Sequence, residues 1–473
     1  MTAEEVHRQL ALIVGPEGVS DSTRELLLHA SDALRPTRHF PGSDSLTPHP
    51  EWVVWPRTAA QVQELVLLAG RTRTPLVPYG GGSGLMGGAL PSRGGIVVDM
   101  RRLNRVRTID AEARTATAEA GVVLEDLNSA LCPHGLVLGH DPWTVPVATV
   151  GGTISTNSLG YLGAQYGSMG QQVLGLEVVL PDGSLVTTRP VPKSSTGPSL
   201  HHLFIGTEGC FGLITAATLR LFPIPEKRLL YALQFSGFEE GFRAIQGMFA
   251  IGLTPALMEL GEEYPTVLPR GWGRRPAAEG GELYLGFEGP SEVVDAQAKR
   301  ALSICALHRG VEMPSGEALA FWEGRHAAAE RFAANRETEG RAPYFQAQGE
   351  GPLVDYLHVA LPASRVLGFR VQAMRVAYQN GVQVRECGLW NRPELFSMVL
   401  VDPTGQPGLL SRAVDRVLML AQDVGGSMEY CHGVGLRLAH LMRREHGRGL
   451  DVLRRLKAAV DPQGIMNPGK LGL

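Results

Sequence analysis

The sequence predicts an α+β fold in two parts, the second of which holds an antiparallel sheet. Short apolar strands alternate with glycine clusters up to about residue 222. Beyond Pro223-Ile-Pro225 the glycine clusters stop, and strands alternate with longer helical stretches. A length of 473 residues also exceeds that of an ordinary single domain. We therefore expect two or three domains, with a boundary near residue 225.

The elements of the first part follow from its apolar patterns. Apolar runs predict strands at residues 52–55, 74–78, 95–100, 115–120, 173–180 and 217–222. A helical apolar period predicts helices at residues 59–69, where Thr58 suits the cap, and at 123–131. Residues 1–50 read as short helices followed by a polar loop, and residues 51–225 form the glycine-rich domain.

The second part has its own pattern of alternating elements. Strands are expected near residues 229–235, 282–288, 356–361 and 396–401. Helices are expected near residues 238–250, 291–308, 316–335, 364–380, 408–424 and 449–460. The pattern predicts a second domain over residues 226–424 and a separate C-terminal segment over 425–473.

Composition narrows the class of protein. The formal net charge is −3, so the sequence indicates no basic surface for nucleic acid. The five cysteines are scattered and show no CxxC spacing, which disfavours disulfides and a zinc site. The acidic start and the lack of a long apolar run predict neither a secretory signal nor a transmembrane segment. We expect a cytoplasmic enzyme with a small-molecule substrate.

A glycine loop follows the strand at residues 74–78. A run of glycines lets the backbone approach a ligand closely, and its free N–H groups can hold a pyrophosphate. The alternative is an ordinary flexible turn. The predicted binding residues of this loop are Pro78, Tyr79, Gly80, Gly81, Gly82, Ser83, Gly84 and Leu85.

Part of this loop also matches the GxGxxG dinucleotide fingerprint, from Gly82 to Gly87. That fingerprint requires a helix that begins at the loop. Here glycines and a proline continue until the next strand, at residue 95, so no helix fits. The sequence therefore disfavours a Rossmann domain.

A second glycine region, Thr149-Val-Gly-Gly-Thr-Ile-Ser-Thr-Asn157, lies about 70 residues further on. Its hydroxyl and amide side chains add donors and acceptors beside the glycines. Two such regions in one domain can enclose a single long ligand, although each alone is typical of a loop.

Together these segments resemble the vanillyl-alcohol-oxidase/p-cresol-methylhydroxylase flavoprotein superfamily. The nearest branch holds D-lactate and glycolate dehydrogenases, D-2-hydroxyglutarate dehydrogenase and alkyldihydroxyacetonephosphate synthase. The matching segments are the two glycine regions, Tyr166-Gly167, Leu174 to Gly183, Gly206 to Thr215 and Val460 to Lys470. The resemblance implies a two-part FAD-binding domain of the p-cresol-methylhydroxylase type and a substrate (cap) domain. It also implies that the C-terminal segment returns to the FAD domain.

The resemblance further implies which residues hold FAD. Besides the first glycine loop, they are Pro142, Ala148, Thr149, Gly151, Gly152, Ser155, Thr156, Asn157, Ser158, Glu208, Gly209, Ile214 and Asn467. Some relatives attach FAD through a histidine in the glycine loop. Ser83 stands in that stretch and no histidine does, so we expect non-covalent FAD.

Two residues are predicted to be catalytic. Glu429-Tyr-Cys-His-Gly-Val-Gly435 resembles a catalytic segment of the family, which makes His432 the candidate base or the group that orients the substrate hydroxyl. Arg325 lies in a stretch similar to a Trp-x-x-Arg motif and is expected to clamp a substrate carboxylate or phosphate. The alternatives are a structural histidine and a surface arginine.

The metal ligands of the hydroxyacid dehydrogenases are replaced at all three positions. Leu389 and Phe396 stand in place of two histidines, and Cys431 stands in place of a glutamate. Leucine and phenylalanine cannot coordinate a metal. We therefore expect no metal at these positions.

Three functions stay open on this evidence. The preferred one is an FAD-dependent oxidoreductase that transfers hydride from a small alcohol or 2-hydroxyacid to flavin N5, with an unknown electron acceptor. Ser195 to His202 resembles the synthase branch and supports an FAD-dependent transferase. The altered active site also suits a degenerate flavin-binding subunit. A homodimer and a subunit of a larger complex are both compatible with the sequence.

Overall fold

The computed structural model describes residues 1–34, 38–266, 280–339 and 351–473. Residues 35–37 of the predicted N-terminal loop lie outside the described residues. Within the described ranges, no helix is both long and apolar enough to cross a membrane.

The N-terminal half begins with a four-stranded mixed sheet. Its strands β2, β4 and β3 run parallel, and β1 joins the edge antiparallel to β2. Helix α3 connects β2 to β3 across the position of β4, and the glycine loop connects β3 to its parallel neighbour β4. The elements are α1 (Ala3–Val14), β1 (Val19–Ser20), α2 (Thr23–His29), β2 (Trp52–Val54), α3 (Ala59–Thr72), β3 (Leu76–Tyr79) and β4 (Ile96–Asp99).

A five-stranded antiparallel sheet follows, in the order β5-β6-β10-β8-β9. Its inner face shares one hydrophobic core with the first sheet, in which Leu65 of α3, Ile96 of β4 and Leu176 of β8 are fully or almost fully buried. The elements are β5 (Val106–Asp110), β6 (Thr115–Glu119), α4 (Leu124–Leu131), β7 (Leu136–Val137), α5 (Val150–Thr156), α6 (Gly163–Tyr166), α7 (Met169–Gln172), β8 (Val173–Val179), β9 (Leu185–Thr187), β10 (Leu213–Arg220) and β11 (Phe222–Pro223).

The second part is a seven-stranded sheet in which every neighbouring pair is antiparallel, covered by helices. The strand order is β15-β12-β14-β13-β17-β18-β16. The elements are β12 (Lys227–Phe235), α8 (Phe238–Ala250), β13 (Leu257–Glu263), β14 (Gly281–Gly289), α9 (Ser291–Leu307), β15 (Val311–Glu312), α10 (Ser315–Gly324), α11 (Ala327–Glu339), β16 (Leu353–Ala360), α12 (Val366–Gln379), β17 (Gln383–Trp390), β18 (Leu395–Asp402) and α13 (Pro407–Asp423).

The last segment carries α14 (Met442–His446) and α15 (Gly449–Val460) and then contacts the first sheet. The Leu76 N–H donates to the carbonyl of Ile465, and the Asn467 N–H donates to the carbonyl of Leu76, both at 2.8 Å. The chain end therefore lies against β3, immediately before the glycine loop.

The predicted α+β fold is confirmed, with differences in individual elements. Strands β5, β13 and β17 were not predicted, because glutamate, arginine or threonine side chains interrupt their apolar pattern. The two- and three-residue strands β1, β7, β9, β11 and β15 were not predicted either, because they are too short to show a period. The predicted helix at 316–335 is two helices that are separated at Arg325 and His326. The second glycine region contains a short helix, α5, whose N-cap Thr149 accepts a hydrogen bond from the Gly152 N–H.

Candidate active site

The two predicted glycine regions pack directly against each other. A Cβ atom at Gly81 would lie 2.0 Å from the Val147 carbonyl oxygen, and one at Gly80 would lie 2.5 Å from Thr149 Oγ1. Gly82 has a φ of +66°, a conformation that glycine adopts without strain. These positions need glycine because the loop backbone runs along the segment that leads into α5.

A cavity that is partly open to solvent lies between these regions. Its walls include Pro78, Tyr79, Gly80, Gly81, Gly82, Ser83, Gly84, Leu85, Pro142, Ala148, Thr149, Gly151, Gly152, Ser155, Thr156, Ser158, Glu208, Gly209, Ile214 and His432. The fold thus brings His432 from the C-terminal segment to the cavity that the predicted cofactor residues form.

Two predicted cofactor residues, Asn157 and Asn467, do not line this cavity. They form hydrogen bonds with the backbone and side chains of loops next to it. Asn157 Oδ1 accepts hydrogen bonds from the Ser168 hydroxyl at 2.9 Å and the Gly170 N–H at 3.0 Å. Asn467 Nδ2 donates to the carbonyls of Gly88 and Glu208, at 2.8 and 2.6 Å. These contacts hold the loops at the cavity in place, which indicates a structural role for both side chains.

The predicted cofactor residue Glu208 is buried beside the glycine loop, near two buried ionisable residues that the sequence did not indicate, Asp32 and Lys470. The Glu208 carboxylate accepts the N–H groups of Val434 and Gly435, at 2.7 and 2.9 Å, which ties the cofactor domain to the segment that carries His432. Burial raises the pKa of Glu208 to about 7 and that of Asp32 to about 6. Burial also lowers the pKa of Lys470 to about 8. Asp32 and Lys470 influence Glu208 electrostatically from distant parts of the sequence, so no local pattern indicates them.

The turn before His432 is organised by Glu429. Glu429 Oε1 accepts the backbone N–H groups of Tyr430, Cys431 and His432, at 3.0, 2.7 and 3.0 Å. The same oxygen lies 3.7 Å from His432 Nδ1. Burial opposes the charge on this imidazole, but Cys431 and Glu429 outweigh it and raise the pKa of His432 to about 10. His432 is therefore an imidazolium at neutral pH when these groups alone surround it.

His358 is a second histidine at this site, and no sequence pattern indicated it. It lies on β16 and is 9% exposed, and its ring centroid is 4.5 Å from that of His432. Burial, together with the neighbouring His432, lowers the pKa of His358 to about 3. The ligand atoms of His358, Glu429 and His432 lie within 4.8 Å of one another. We call these three residues the His-Glu-His cluster.

Arg325 does not point into the cavity. Its Nε donates to Asp141 Oδ2 at 2.8 Å, its Nη1 donates to the Trp322 carbonyl at 2.7 Å, and its guanidinium lies 3.6 Å above the Trp322 ring centroid. His326 Nε2 also lies 3.0 Å from Asp141 Oδ1. Asp141 immediately precedes Pro142, so Arg325 connects the second domain to a wall of the cofactor cavity. Its charge is already paired, which disfavours the predicted substrate clamp.

The three positions that replace the usual metal ligands are occupied by groups that do not form a site. Leu389 and Phe396 face each other across the β17–β18 hairpin and are fully buried in the hydrophobic core. The Cys431 thiol lies 3.6 Å from the Leu159 carbonyl. The residue chemistry agrees with the expectation that these positions hold no metal.

The segment that resembles the synthase branch is distant from this arrangement. Residues 195–200 are exposed, and among the described residues none from Ser195 to His202 lines the cavity. His201 and His202 pack against each other, with ring centroids 4.2 Å apart. This geometry gives the transferase hypothesis no support.

A glycine-built cavity between a mixed and an antiparallel sheet, beside an antiparallel cap domain, defines an FAD-binding flavoprotein. The sequence matches a family described as "FAD binding domain" over residues 50–189 and one described as "FAD linked oxidases, C-terminal domain" over residues 224–471. The chain belongs to the FAD-linked oxidases, and it is an FAD-linked oxidoreductase.

Named relatives match all or most of the chain. It is 28% identical to the glycolate oxidase subunit GlcD of Bacillus subtilis, over 100% of this chain and 97% of that protein. It is also 28% identical to the D-lactate dehydrogenase of Archaeoglobus fulgidus, over 89% and 90% of the two chains. Among solved structures, alkyldihydroxyacetonephosphate synthase matches with a TM-score of 0.78 and 21% identity, over 99% of this chain and 85% of that one. p-Cresol methylhydroxylase matches with a TM-score of 0.73 and 18% identity, over 99% and 96%. These two structures share the fold.

Proposed function

We propose that the chain oxidises a small alcohol or 2-hydroxyacid at the carbon that bears the hydroxyl group. The observation that carries this proposal is the position of His432 on the wall of the cofactor cavity. Similarity to the glycolate oxidase subunit and the D-lactate dehydrogenases supports the same class of substrate. FAD, when bound, supplies the hydride acceptor, N5 of its isoalloxazine ring.

The chain's own groups suit FAD at this site. The loop at 78–85 would hold the pyrophosphate through its backbone N–H groups. Glycine is needed at Gly80 and Gly81, because a side chain there would clash with Thr149 or Val147. Pro142, Ala148, Ser155, Thr156 and Ser158 would line the ring system, and Glu208 to Ile214 would line the adenosine side. With Ser83 in the loop and no histidine, we propose that the cofactor is held without a covalent bond.

The electrostatics of His432 favour one of its two predicted roles. A histidine whose pKa is about 10 is protonated at neutral pH and does not accept a proton. It can donate a hydrogen bond to the substrate oxygen and stabilise negative charge there. The hydroxyl proton would leave to solvent, to which the cavity is partly open, as the hydride is transferred. We propose that His432 orients the hydroxyl, while Glu429 holds its turn in place.

The test is anaerobic addition of substrates to the purified yellow protein. Glycolate, D-lactate and matched alcohols without a carboxylate are added separately, and bleaching of the flavin bands is followed. Bleaching by one class supports the proposal and identifies that class. Bands that stay oxidised with every member of both classes, in a protein that dithionite does bleach, contradict it and favour the flavin-binding subunit.

A further inference from the structure

A carboxylate without a partner lies on the sheet of the second domain. Glu259, on β13, makes no hydrogen bond or ion pair with any described residue, and its Oε2 is buried. Burial, with the nearby Glu386, raises the pKa of Glu259 to about 8, and no cation among the described residues offsets this effect. Buried carboxylates in proteins are normally paired or hydrogen-bonded, so Glu259 has the state of a group that a ligand completes.

Aromatic side chains surround this carboxylate. Glu259 is directly opposite Tyr284 on β14 and Trp390 on β17, so the three side chains stand in a row on one face of the sheet. Phe321 stacks on Tyr284, with ring centroids 4.3 Å apart. Tyr161 stacks on Trp390 at 5.6 Å and meets Phe321 edge to face at 6.1 Å, which connects the two ends of the row. We call Glu259 and these four rings the aromatic box.

The aromatic box adjoins the His432 end of the cofactor cavity. In the His-Glu-His cluster, the ring centroid of His358 is 4.5 Å from that of His432 and 6.0 Å from that of Trp390. Tyr161 is two residues beyond Leu159, which lines the cavity. Glu259 and the four rings are all partly exposed. A small substrate that places its hydroxyl at His432 therefore has its far end at the box.

The chemistry of the box favours an organic cation. A carboxylate attracts positive charge, and the faces of aromatic rings carry partial negative charge that attracts an ammonium group. A substrate carboxylate would instead meet Glu259 with like charge, and the neighbouring Arg325 is already paired with Asp141. A neutral hydroxyl group would make a hydrogen bond but would leave the charge of the carboxylate unpaired.

We propose that the aromatic box binds an organic ammonium group, and that the substrate is accordingly a small amino alcohol. Glu259 forms the ion pair, and the rings enclose the ammonium group and the carbon atoms next to it. The carbon that bears the hydroxyl loses hydride to the flavin and the hydroxyl proton leaves to solvent, which yields the amino carbonyl compound. The choice of substrate rests on the proposed function, whereas binding of the ammonium group depends on no reaction.

The first test measures binding without turnover. Butylammonium, butyramide and butyrate are similar in length and carry no alcohol group, and each is titrated into the flavin-loaded protein by calorimetry. We expect butylammonium to bind roughly 10- to 100-fold more tightly than butyramide, because its contact with the carboxylate is charge-assisted. Butyrate should bind more weakly than both. Equal binding of butylammonium and butyramide, or a preference for butyrate, would overturn the proposal.

Variants then locate the ammonium group. Glu259→Gln keeps the shape of the side chain and removes its charge, so butylammonium should lose about tenfold or more in affinity while butyramide does not. Glu292→Gln, an exposed change on α9, is the matched control and should bind both probes as the wild type does. Trp390→Leu should also weaken butylammonium, and Trp390→Phe, which retains a ring, should restore most of the affinity. Unchanged butylammonium binding in Glu259→Gln would place the ammonium group elsewhere and contradict the proposal.

Flavin reduction separates this inference from the proposed function. Aminopropanol, butanol and glycolate are added anaerobically, and we expect aminopropanol to bleach the flavin at the lowest concentration and Glu259→Gln to lose this preference. Bleaching by butanol or glycolate alone would support the oxidation and refute the amino alcohol. Butylammonium binding with no bleaching by any of the three would contradict the proposed function and still support the ammonium site.

Discussion

The two walls of the active site recognise their ligands in different ways. The wall at residues 78–85 and 148–158 is built from backbone and small side chains, and glycines allow its two segments to touch. The second wall is His432, next to which lie the ionisable side chains of Glu429, on the same turn after α13, and of His358, on β16. Adding atoms to the first wall should weaken cofactor binding, and removing charge from the second should slow the reaction. Mutations should therefore separate cofactor binding from catalysis.

The largest effect is expected on the second wall. His432→Gln removes the imidazolium that we place next to the substrate oxygen, and the rate of anaerobic flavin reduction should fall about 100- to 1,000-fold. Flavin content should stay close to that of the wild type, because the first wall is untouched. His440→Gln is the matched control and should reduce at the wild-type rate. An unchanged rate in His432→Gln would remove this residue from the active site.

The next effect is expected on the first wall. A methyl group at Gly81 would lie 2.0 Å from the Val147 carbonyl, and this overpacking should cost about 2–3 kcal/mol. Gly81→Ala should accordingly bind FAD roughly 30- to 150-fold more weakly in a fluorescence titration. Gly316→Ala, on α10, meets no atom within 4 Å and should bind FAD normally. Equal affinity in Gly81→Ala would show that the two glycine regions are not rigidly packed.

The difference between the two walls also explains which site residues could be predicted from the sequence. The cofactor wall is encoded locally, because consecutive glycines and hydroxyls mark a loop that approaches a ligand, and nearly every residue predicted there lines the cavity. The ionisable groups are paired over long separations. His358 meets His432, Asp141 meets Arg325, and Glu208 meets the N–H groups of residues 434 and 435. A single histidine in an apolar strand carries no local sign of its partner, so these contacts required the fold.

Arg325 lies outside both walls, and its replacement tests whether its role is structural. Arg325→Met would leave Asp141 buried with only His326, and it should lower the free energy of unfolding by about 2–3 kcal/mol. The matched change Arg392→Met removes a half-exposed pair with Glu394 and should cost about 0.5 kcal/mol or less. Thermal unfolding of the two variants measures the difference. Unchanged stability in Arg325→Met together with a raised KM for carboxylate substrates would instead support the clamp.

The smallest effect concerns pH and the contact between the two walls. Glu208 joins them, and its pKa is raised from 4.5 to about 7 by burial. Between these values the folded state binds more protons than the unfolded state, so this group makes stability fall as the pH rises through that window. Glu208→Gln removes the titration. The Tm of the variant should therefore decline less than that of the wild type between pH 4.5 and pH 7, and the two curves should run parallel above it. Parallel curves throughout would mean that Glu208 ionises normally and that its bonds to Val434 and Gly435 carry the full charge of a carboxylate.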